Sequence, residues 1–202
     1  MSRRLSIFIV LASASAFADP PPAATTATAA APADMSDQAI GASIGLALGG
    51  RVTPGGVRFE GHYLYQLSDH DWFDGTAAFT FGGDSPECFF DRQDNYVCDH
   101  GVAQGDSFEA IATVRHFLGG QGQYWPFLHG GIGLGYVRYA ADGVGGLVIP
   151  LHAGGGIRVS ITPDLAIVGQ AELELGIGFF SHSVGTEPQL GANLTAGVEF
   201  RL

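Results

Sequence analysis

The chain has 202 residues, which is long enough for one domain with a real core and does not require two. It contains 31 Gly and 14 Phe, and its 20 acidic residues outnumber the 9 basic residues, all of which are Arg. A nucleic-acid partner is therefore not expected, because no basic surface is available to neutralise phosphates. The acidic balance alone is typical of a solvated surface and identifies no partner.

The first 18 residues have the pattern of a secretory signal peptide. Arg3 and Arg4 precede an apolar run at 5–12, and a triplet of small and apolar residues ending at Ala18 marks the expected cleavage point. The run is too short for a membrane-spanning helix, which needs about 20 apolar residues. The signal has no Cys at the position that lipid attachment needs, so a lipid anchor is not expected and the exported chain is expected to begin at Asp19.

Residues 19–38 are rich in Pro, Ala and Thr and have no hydrophobic period. Such a segment cannot bury enough apolar surface to fold, and it is predicted to be a flexible periplasmic leader. The predicted folded domain occupies residues 39–202.

From residue 39 onward, polar and apolar residues alternate with a period of two, the pattern of strands that have one face in a polar and one in an apolar environment. Gly, Pro, Asp and Asn separate these segments, and none of them has a helical period. Eight strands are predicted, at 39–51, 57–67, 72–81, 107–118, 125–139, 149–161, 166–180 and 189–202.

The links between the predicted strands alternate in length. Tight links at 68–71, 119–124 and 162–164 alternate with longer ones, of which 82–105 is the longest. The other long links are predicted at 140–148 and 181–188, whereas the first link, 50–56, is short. Short turns at one end and long loops at the other are typical of outer-membrane barrels.

The seventh strand raises the question of which face of the sheet contacts water. Glu172 and Glu174 alternate with Leu173 and Leu175, so that one face is polar and the other apolar. If the apolar residues of all eight strands filled the interior, the outer surface would be unusually poor in charge for a soluble protein. The inverse arrangement gives an apolar outer band with aromatic girdles. The aromatic residues assigned to the girdles are Phe59, Phe81, Phe108, Tyr136 and Phe179 toward the long loops, and Tyr65, Phe73, Trp125 and Phe200 toward the short turns.

The polar faces then line a narrow lumen in which opposite charges pair, because unpaired buried charges are costly. The predicted ion-pair network consists of Arg58, Glu60, Asp74, Glu109, Arg115, Arg158, Glu172, Glu174 and Glu199. Arg158, Arg115 or Arg58 are the candidate partners of Glu172 and Glu174. The inward glycines either leave a passage or permit curvature. The inward histidines, His62, His129 and His152, are expected to form hydrogen bonds in the lumen.

The signal peptide, the eight alternating strands, the short turns and the terminal AGVEFRL together resemble the small eight-stranded outer-membrane barrels, the OmpA-like transmembrane domains. The resemblance covers 39–202 and implies an all-β, antiparallel, up-and-down transmembrane barrel in the cell outer membrane. It also implies contact with outer-membrane lipid and recognition by the barrel-assembly machinery through the last strand. The assembly signal would be Val198, Phe200 and Leu202, although the terminal residue is Leu rather than the usual Phe. We expect a monomer.

Cys88 and Cys98 are the two cysteines, and in an exported protein they are expected to form a disulfide that closes a short loop. The alternative is a metal site that adds His100, although the spacing is a weak zinc pattern. The loop at 83–105 is acidic, and it would bind Ca²⁺ or a basic extracellular ligand, or simply be solvated.

Three functions are compatible with this architecture. The first is a plugged, non-enzymatic barrel with a structural or surface-interaction role, and the second is a narrow pore for small hydrophobic molecules. The third is a lipid-modifying enzyme, suggested by Ser181, His182 and Ser183 at the end of the seventh strand. Adjacent residues of a strand face opposite sides, which argues against a His182–Ser183 pair, and no catalytic residue or cofactor is assigned.

Overall fold

The computed structural model describes residues 38–120 and 122–202, so the predicted signal peptide and all but the last residue of the predicted leader lie outside the described residues. The described part of the chain contains ten strands. They are β1 (Gln38–Leu48), β2 (Gly56–Gln66), β3 (Asp71–Phe81), β4 (Cys88–Phe90), β5 (Tyr96–Cys98), β6 (Asp106–Phe117), β7 (Tyr124–Tyr139), β8 (Val144–Ser160), β9 (Leu165–Phe180) and β10 (Gly185–Arg201). No helix of the described residues is long and apolar enough to cross a membrane.

Eight of these strands form a closed antiparallel barrel in the order β1-β10-β9-β8-β7-β6-β3-β2, which confirms the predicted fold class. The barrel closes between its first and last strands, where Ile40 of β1 lies opposite Phe200 of β10. The remaining two strands, β4 and β5, form a separate small hairpin inside the long link between β3 and β6. The period-two pattern did not predict this hairpin, because three-residue strands are too short to show alternation.

The barrel is polar inside and apolar outside. Along β9, Leu173 is 60% exposed and its neighbour Glu174 is 5% exposed. Arg58 and Arg115 are the two largest of the fully buried side chains. Because a soluble core would bury the leucines and expose the charges, this arrangement has the polarity of a barrel whose outer face contacts lipid.

The two ends of the barrel differ. At one end, here called the turn end, the short links at 67–70 and 161–164 and the link between β6 and β7, described at 118–120 and 122–123, lie beside the first residue of β1 and the last of β10. At the other, the loop end, the links are 49–55, 82–105, 140–143 and 181–184. The long links predicted at 140–148 and 181–188 were therefore wrong.

The reason for this difference is that the alternation of β8 and β10 begins earlier than predicted. Tyr139 pairs with Val144, and Phe180 pairs with Gly185, so each of these hairpins turns tightly. The glycines near the start of β8 resembled a loop in the sequence. The links are short because the strands are long: β7 to β10 have 16 or 17 residues each, more than the about 9–11 residues that a transmembrane strand needs.

The position of Trp125 also differs from the prediction, which placed it in an outer girdle. Its parity along β7 matches that of buried Phe127 and His129, and Trp125 packs against an inner cluster that includes Phe117 and Phe127. The aromatic residue type suggested a place in a girdle, but the alternation along β7 directs the Trp125 side chain into the barrel. Other girdle residues such as Phe81, Phe179 and Phe200 are exposed on the outer face.

Candidate functional site

The lumen contains a chain of ion pairs that begins near the loop end. The guanidinium of Arg58 binds Glu109 through Nη2 at 2.9 Å and Glu60 through Nε at 2.7 Å. All three side chains are at most 4% exposed. Because Arg58 and Glu60 point inward from β2 and Glu109 from β6, the chain joins strands that are not neighbours in the sheet.

His62 continues the chain toward the middle of the lumen. Its Nε2 atom is 3.4 Å from Glu60 Oε2, and its Nδ1 atom is 3.2 Å from Asp74 Oδ1. The Ser43 hydroxyl donates to Glu60 at 2.7 Å, and the Thr76 hydroxyl donates to Asp74 at 3.0 Å. These hydroxyl groups satisfy carboxylate lone pairs that the ion pairs leave open, as buried charges require.

The series of ion pairs then continues to the turn end through Arg115. Asp74 Oδ2 accepts from Arg115 Nη2 at 2.6 Å, and Arg115 Nη1 donates to Glu199. Arg158 Nε donates to the second oxygen of Glu199 at 3.1 Å. The guanidinium of Arg115 also lies 4.9 Å from the centre of the Phe127 ring, a cation–π contact.

Glu172 and Glu174 have different surroundings from those predicted. Glu172 binds His152 Nδ1 at 2.8 Å and lies 3.4 Å from His129 Nε2, rather than pairing with an arginine. Glu174 has no ion pair or hydrogen bond within the described part of the chain. The expected partner Arg158 is too far along the barrel, because it pairs in register with Val168.

Glycines in the lumen wall make room for neighbouring side chains. A Cβ atom on Gly154 would lie 2.5 Å from His129 Nε2, and one on Gly156 would lie 2.6 Å from the Phe127 ring. The space beside these glycines is therefore already filled by rings from β7.

The loop end contains a buried apolar cluster, here called the cap. The cap consists of Val52, Cys98, Val137, Tyr139, Val144, Val148 and Phe180, each at most 8% exposed. These residues come from the link 49–55, the small hairpin, and strands β7, β8 and β9. The cap lies beyond Arg58 and Glu109, so the charged chain is covered on that side.

Above the cap, residues 88–98 form the knob, which consists of β4, β5 and their turn. Cys88 pairs with Cys98 in register, and the two residues form a disulfide, as the sequence predicted. Both sulfur atoms are engaged in this bond, which argues against the alternative metal site. At the tip, Phe89 is 54% and Phe90 is 69% exposed.

His100 and Asp142 fasten the knob to the β7–β8 turn. His100 Nδ1 lies 2.6 Å from the carbonyl oxygen of Arg51, and its Nε2 lies 2.9 Å from Asp142 Oδ2. The ring stacks on Tyr139 with centroids 3.7 Å apart.

Asp142 also accepts hydrogen bonds from the backbone amides of Glu87 and Cys88, each at 3.1 Å. Burial acts to raise the pKa of Asp142, but the hydrogen bonds from His100 and the two amides outweigh burial and hold the pKa below its ordinary value. The ionised carboxylate of Asp142 thus joins the β7–β8 turn to Glu87 and Cys88 on one side of the knob and to His100 on the other.

Ser181, His182 and Ser183 lie in the turn between β9 and β10, because the strand ends at Phe180. His182 and Ser183 have φ values of 55° and 67°, which belong to the left-handed region. The Ser181 hydroxyl lies 3.0 Å from His182 Nδ1, and both groups are exposed. No carboxylate orients this ring within the described residues, whereas an activated serine requires a base that is itself oriented.

Of the expected assembly signal, Val198 and Phe200 lie on the outer face of β10, and Leu202 directly follows the strand. Val198, Phe200 and Leu202 are between 51% and 61% exposed. They follow the alternation of the strand, with Glu199 pointing into the lumen between them.

The closed eight-stranded sheet with a charged interior and an apolar exterior has the fold of a small outer-membrane barrel. Neisserial surface protein A has a similar structure, with a TM-score of 0.60 and 12% identity over 82% of this chain and 97% of that chain. The outer-membrane protease OmpT from Escherichia coli matches with a TM-score of 0.51 and 10% identity over 87% and 100% of the two chains. At these identities the similarity shows the fold alone. No protein-family model and no curated protein matches the sequence.

Proposed function

We propose that this protein is a monomeric, non-enzymatic barrel of the outer membrane, with a closed lumen and a role at the cell surface. The observation that carries this proposal is the combination of a cross-linked lumen and a capped loop end. A barrel that neither conducts nor catalyses acts through the surface that it exposes, and the most prominent exposed feature is the knob.

The closed lumen is supported by the continuity of the ion pairs from Glu109 to Arg158. Eight strands enclose an interior just wide enough for side chains to fill. Opening a path would break these buried ion pairs, and leaving a buried charge without its partner costs several kcal/mol. These features favour a plugged barrel over the narrow pore.

The knob has the chemistry of an interaction surface for a basic partner. The Phe90 and Tyr96 rings lie 5.1 Å apart and form an aromatic tip. Asp94 lies in the turn of the hairpin, and Glu87 and Asp99 flank its two strands at the base. Aromatic faces attract guanidinium and ammonium groups, and carboxylates add long-range attraction. In this proposal the apolar outer face contacts lipid, and the assembly machinery recognises the last strand.

The topology is tested with trypsin on intact cells, because the chain has no Lys and Arg92 is the single Arg of the knob. We expect cleavage after Arg92 without permeabilisation, giving two fragments that separate only when the disulfide is reduced. The Cys88→Ser/Cys98→Ser variant, with a loosened knob, provides a second substrate if the native hairpin resists the protease. Cleavage that requires permeabilisation of the outer membrane would contradict the proposal.

The interaction role is tested with a fluorescent Arg-rich peptide and cells that express the protein. We expect less peptide to bind to cells that carry Phe89→Ser/Phe90→Ser at equal surface levels. Val102→Ser is the matched control, since Val102 is 62% exposed in the same link but lies outside the knob. Equal binding by the wild type and the tip variant would remove the knob from the proposal.

A further inference from the structure

A cavity of about 260 Å³ opens at the turn end, opposite to the knob. It is here called the turn-end cavity, and its lining includes Trp72, Phe117, Trp125, Arg158, Ser160 and Arg201. Pockets for drug-sized ligands have volumes of about 300–1,000 Å³, so this cavity has room for a smaller molecule. Trp72 and Trp125 take no part in the ion pairs described above.

The cavity ends inside the barrel at the last members of the ion-pair chain. Glu199 and Arg158 belong to its lining, and Arg115 binds Glu199 from the lumen side. Beyond them, two voids of about 10 Å³ each remain between the lumen side chains. A void of this size holds about one water molecule. A ligand that enters from the turn end therefore stops at this floor.

The side walls of the cavity are aromatic. Trp72 and Trp125 are half-buried and pack against Phe117 and Phe127, and the rings of Phe117 and Trp125 meet edge to face with centroids 6.4 Å apart. Aromatic side chains that are already packed lose little entropy on binding, and they favour flat ring systems.

At the floor of the cavity a hydrogen-bond donor is open and the carboxylate acceptor is engaged, whereas Asp69, also in the lining, belongs to the turn between β2 and β3. Both oxygens of Glu199 are engaged, one by Arg115 and one by Arg158. Arg158 is held by this bond from Nε and by a bond from Nη1 to Ser160 at 3.0 Å, whereas its Nη2 atom has no partner in the described part of the chain. Its side chain is 19% exposed, so that one edge of a fixed guanidinium remains accessible.

From these contacts we infer that the turn-end cavity binds small aromatic carboxylates. The aromatic ring lies against Trp72 and Trp125, and the carboxylate accepts a hydrogen bond from Arg158. A fixed guanidinium favours a carboxylate because the charge-assisted bond is directional and its orientation is already set. This inference concerns the end opposite to the knob and does not rest on the surface role.

Tryptophan fluorescence reports binding directly, because the sequence contains 2 Trp and both line the cavity. The probes are 4-nitrobenzoate, which quenches tryptophan and carries the carboxylate, and 4-nitrobenzyl alcohol, its neutral counterpart. For the refolded protein in detergent, we expect saturable quenching by the carboxylate with an affinity at least about tenfold above that of the alcohol, since hydrogen bonds to charged groups contribute this much.

Arg158→Gln should abolish the preference for the carboxylate, and Arg158→Lys should retain part of it. Arg138→Gln removes the same charge from an exposed position at the loop end and should leave the preference unchanged. If Arg158→Gln fails to fold, the Arg158→Lys variant and the wild-type comparison of the two probes still decide. Linear, unsaturable quenching that is equal for both probes in the wild type would overturn the inference. An unchanged preference in folded Arg158→Gln would also overturn it.

Discussion

Arg115 and Glu199 form an ion pair across the full width of the lumen. Arg115 extends from β6 and Glu199 from β10, and these strands are separated by three strands in each direction around the barrel. Arg115 also binds Asp74, and Glu199 also binds Arg158. One arginine thus connects opposite walls, and the barrel cannot widen without breaking this pair.

Arg115→Met should destabilise the barrel by about 3–5 kcal/mol, because it removes the arginine that two buried carboxylates share. The free energy of unfolding is measured by urea titration in lipid vesicles. Arg51→Met is the matched control: the Arg51 side chain is 53% exposed, and its pair with Glu187 lies at the surface. That variant should lose no more than about 1 kcal/mol. Equal effects of the two substitutions would contradict a lumen held by ion pairs.

Leu173→Arg tests the side of the sheet that contacts lipid. Leu173 is 60% exposed on the outer face, and a charge near the middle of the bilayer destabilises a barrel by about 2–4 kcal/mol. Folding yield into vesicles and urea unfolding should both show this loss. Val102→Arg, at an equally exposed position in a loop, should show no loss. Full tolerance of Leu173→Arg would place this face in water.

The disulfide should stabilise the knob and not the barrel. In the chain-entropy model, a disulfide around so short a loop contributes about 3 kcal/mol. For Cys88→Ser/Cys98→Ser we expect at least about tenfold faster tryptic cleavage at Arg92, because the local opening equilibrium shifts. Heat-modifiable gel migration, which reports the folded barrel, should not change. Loss of heat-modifiable migration would show that the disulfide supports the barrel itself.

Asp142 should make the attachment of the knob sensitive to acid. Its pKa is lowered in the folded protein, so the carboxylate contributes stability above its unfolded pKa, and this contribution is lost as the pH falls through the folded value. The Cys88 amide, which donates to Asp142, should report this step by NMR with a midpoint below the ordinary pKa of an aspartate. Asp142→Asn should abolish the step. A midpoint at or above the ordinary value would contradict the proposed hydrogen bonds.

Much of the barrel follows from alternation, because each strand has one lipid-facing and one lumen-facing side and the sequence records both. For this reason the polarity at Leu173 and Glu174 could be predicted from the sequence alone. Trp125 shows the limit of reasoning from residue type, since its parity along β7 determined its position.

The ion-pair partners could not be predicted in the same way. Glu172 binds His152 rather than Arg158 because the partners depend on stagger around the barrel, and stagger is not visible within one strand. The link between His100 and Asp142 joins residues 42 positions apart through two loops, and no local pattern in the sequence indicates it.

Single-channel recording in planar bilayers tests the central claim, a membrane-spanning barrel with a closed lumen. Insertion is verified independently by trypsin added on one side, which should cleave at Arg92 only when the knob faces that side. We predict no stable conductance steps from inserted wild-type protein, because the linked ion pairs between Glu109 and Arg158, together with the cap, fill the lumen. Stable, uniform steps from inserted protein would contradict the account.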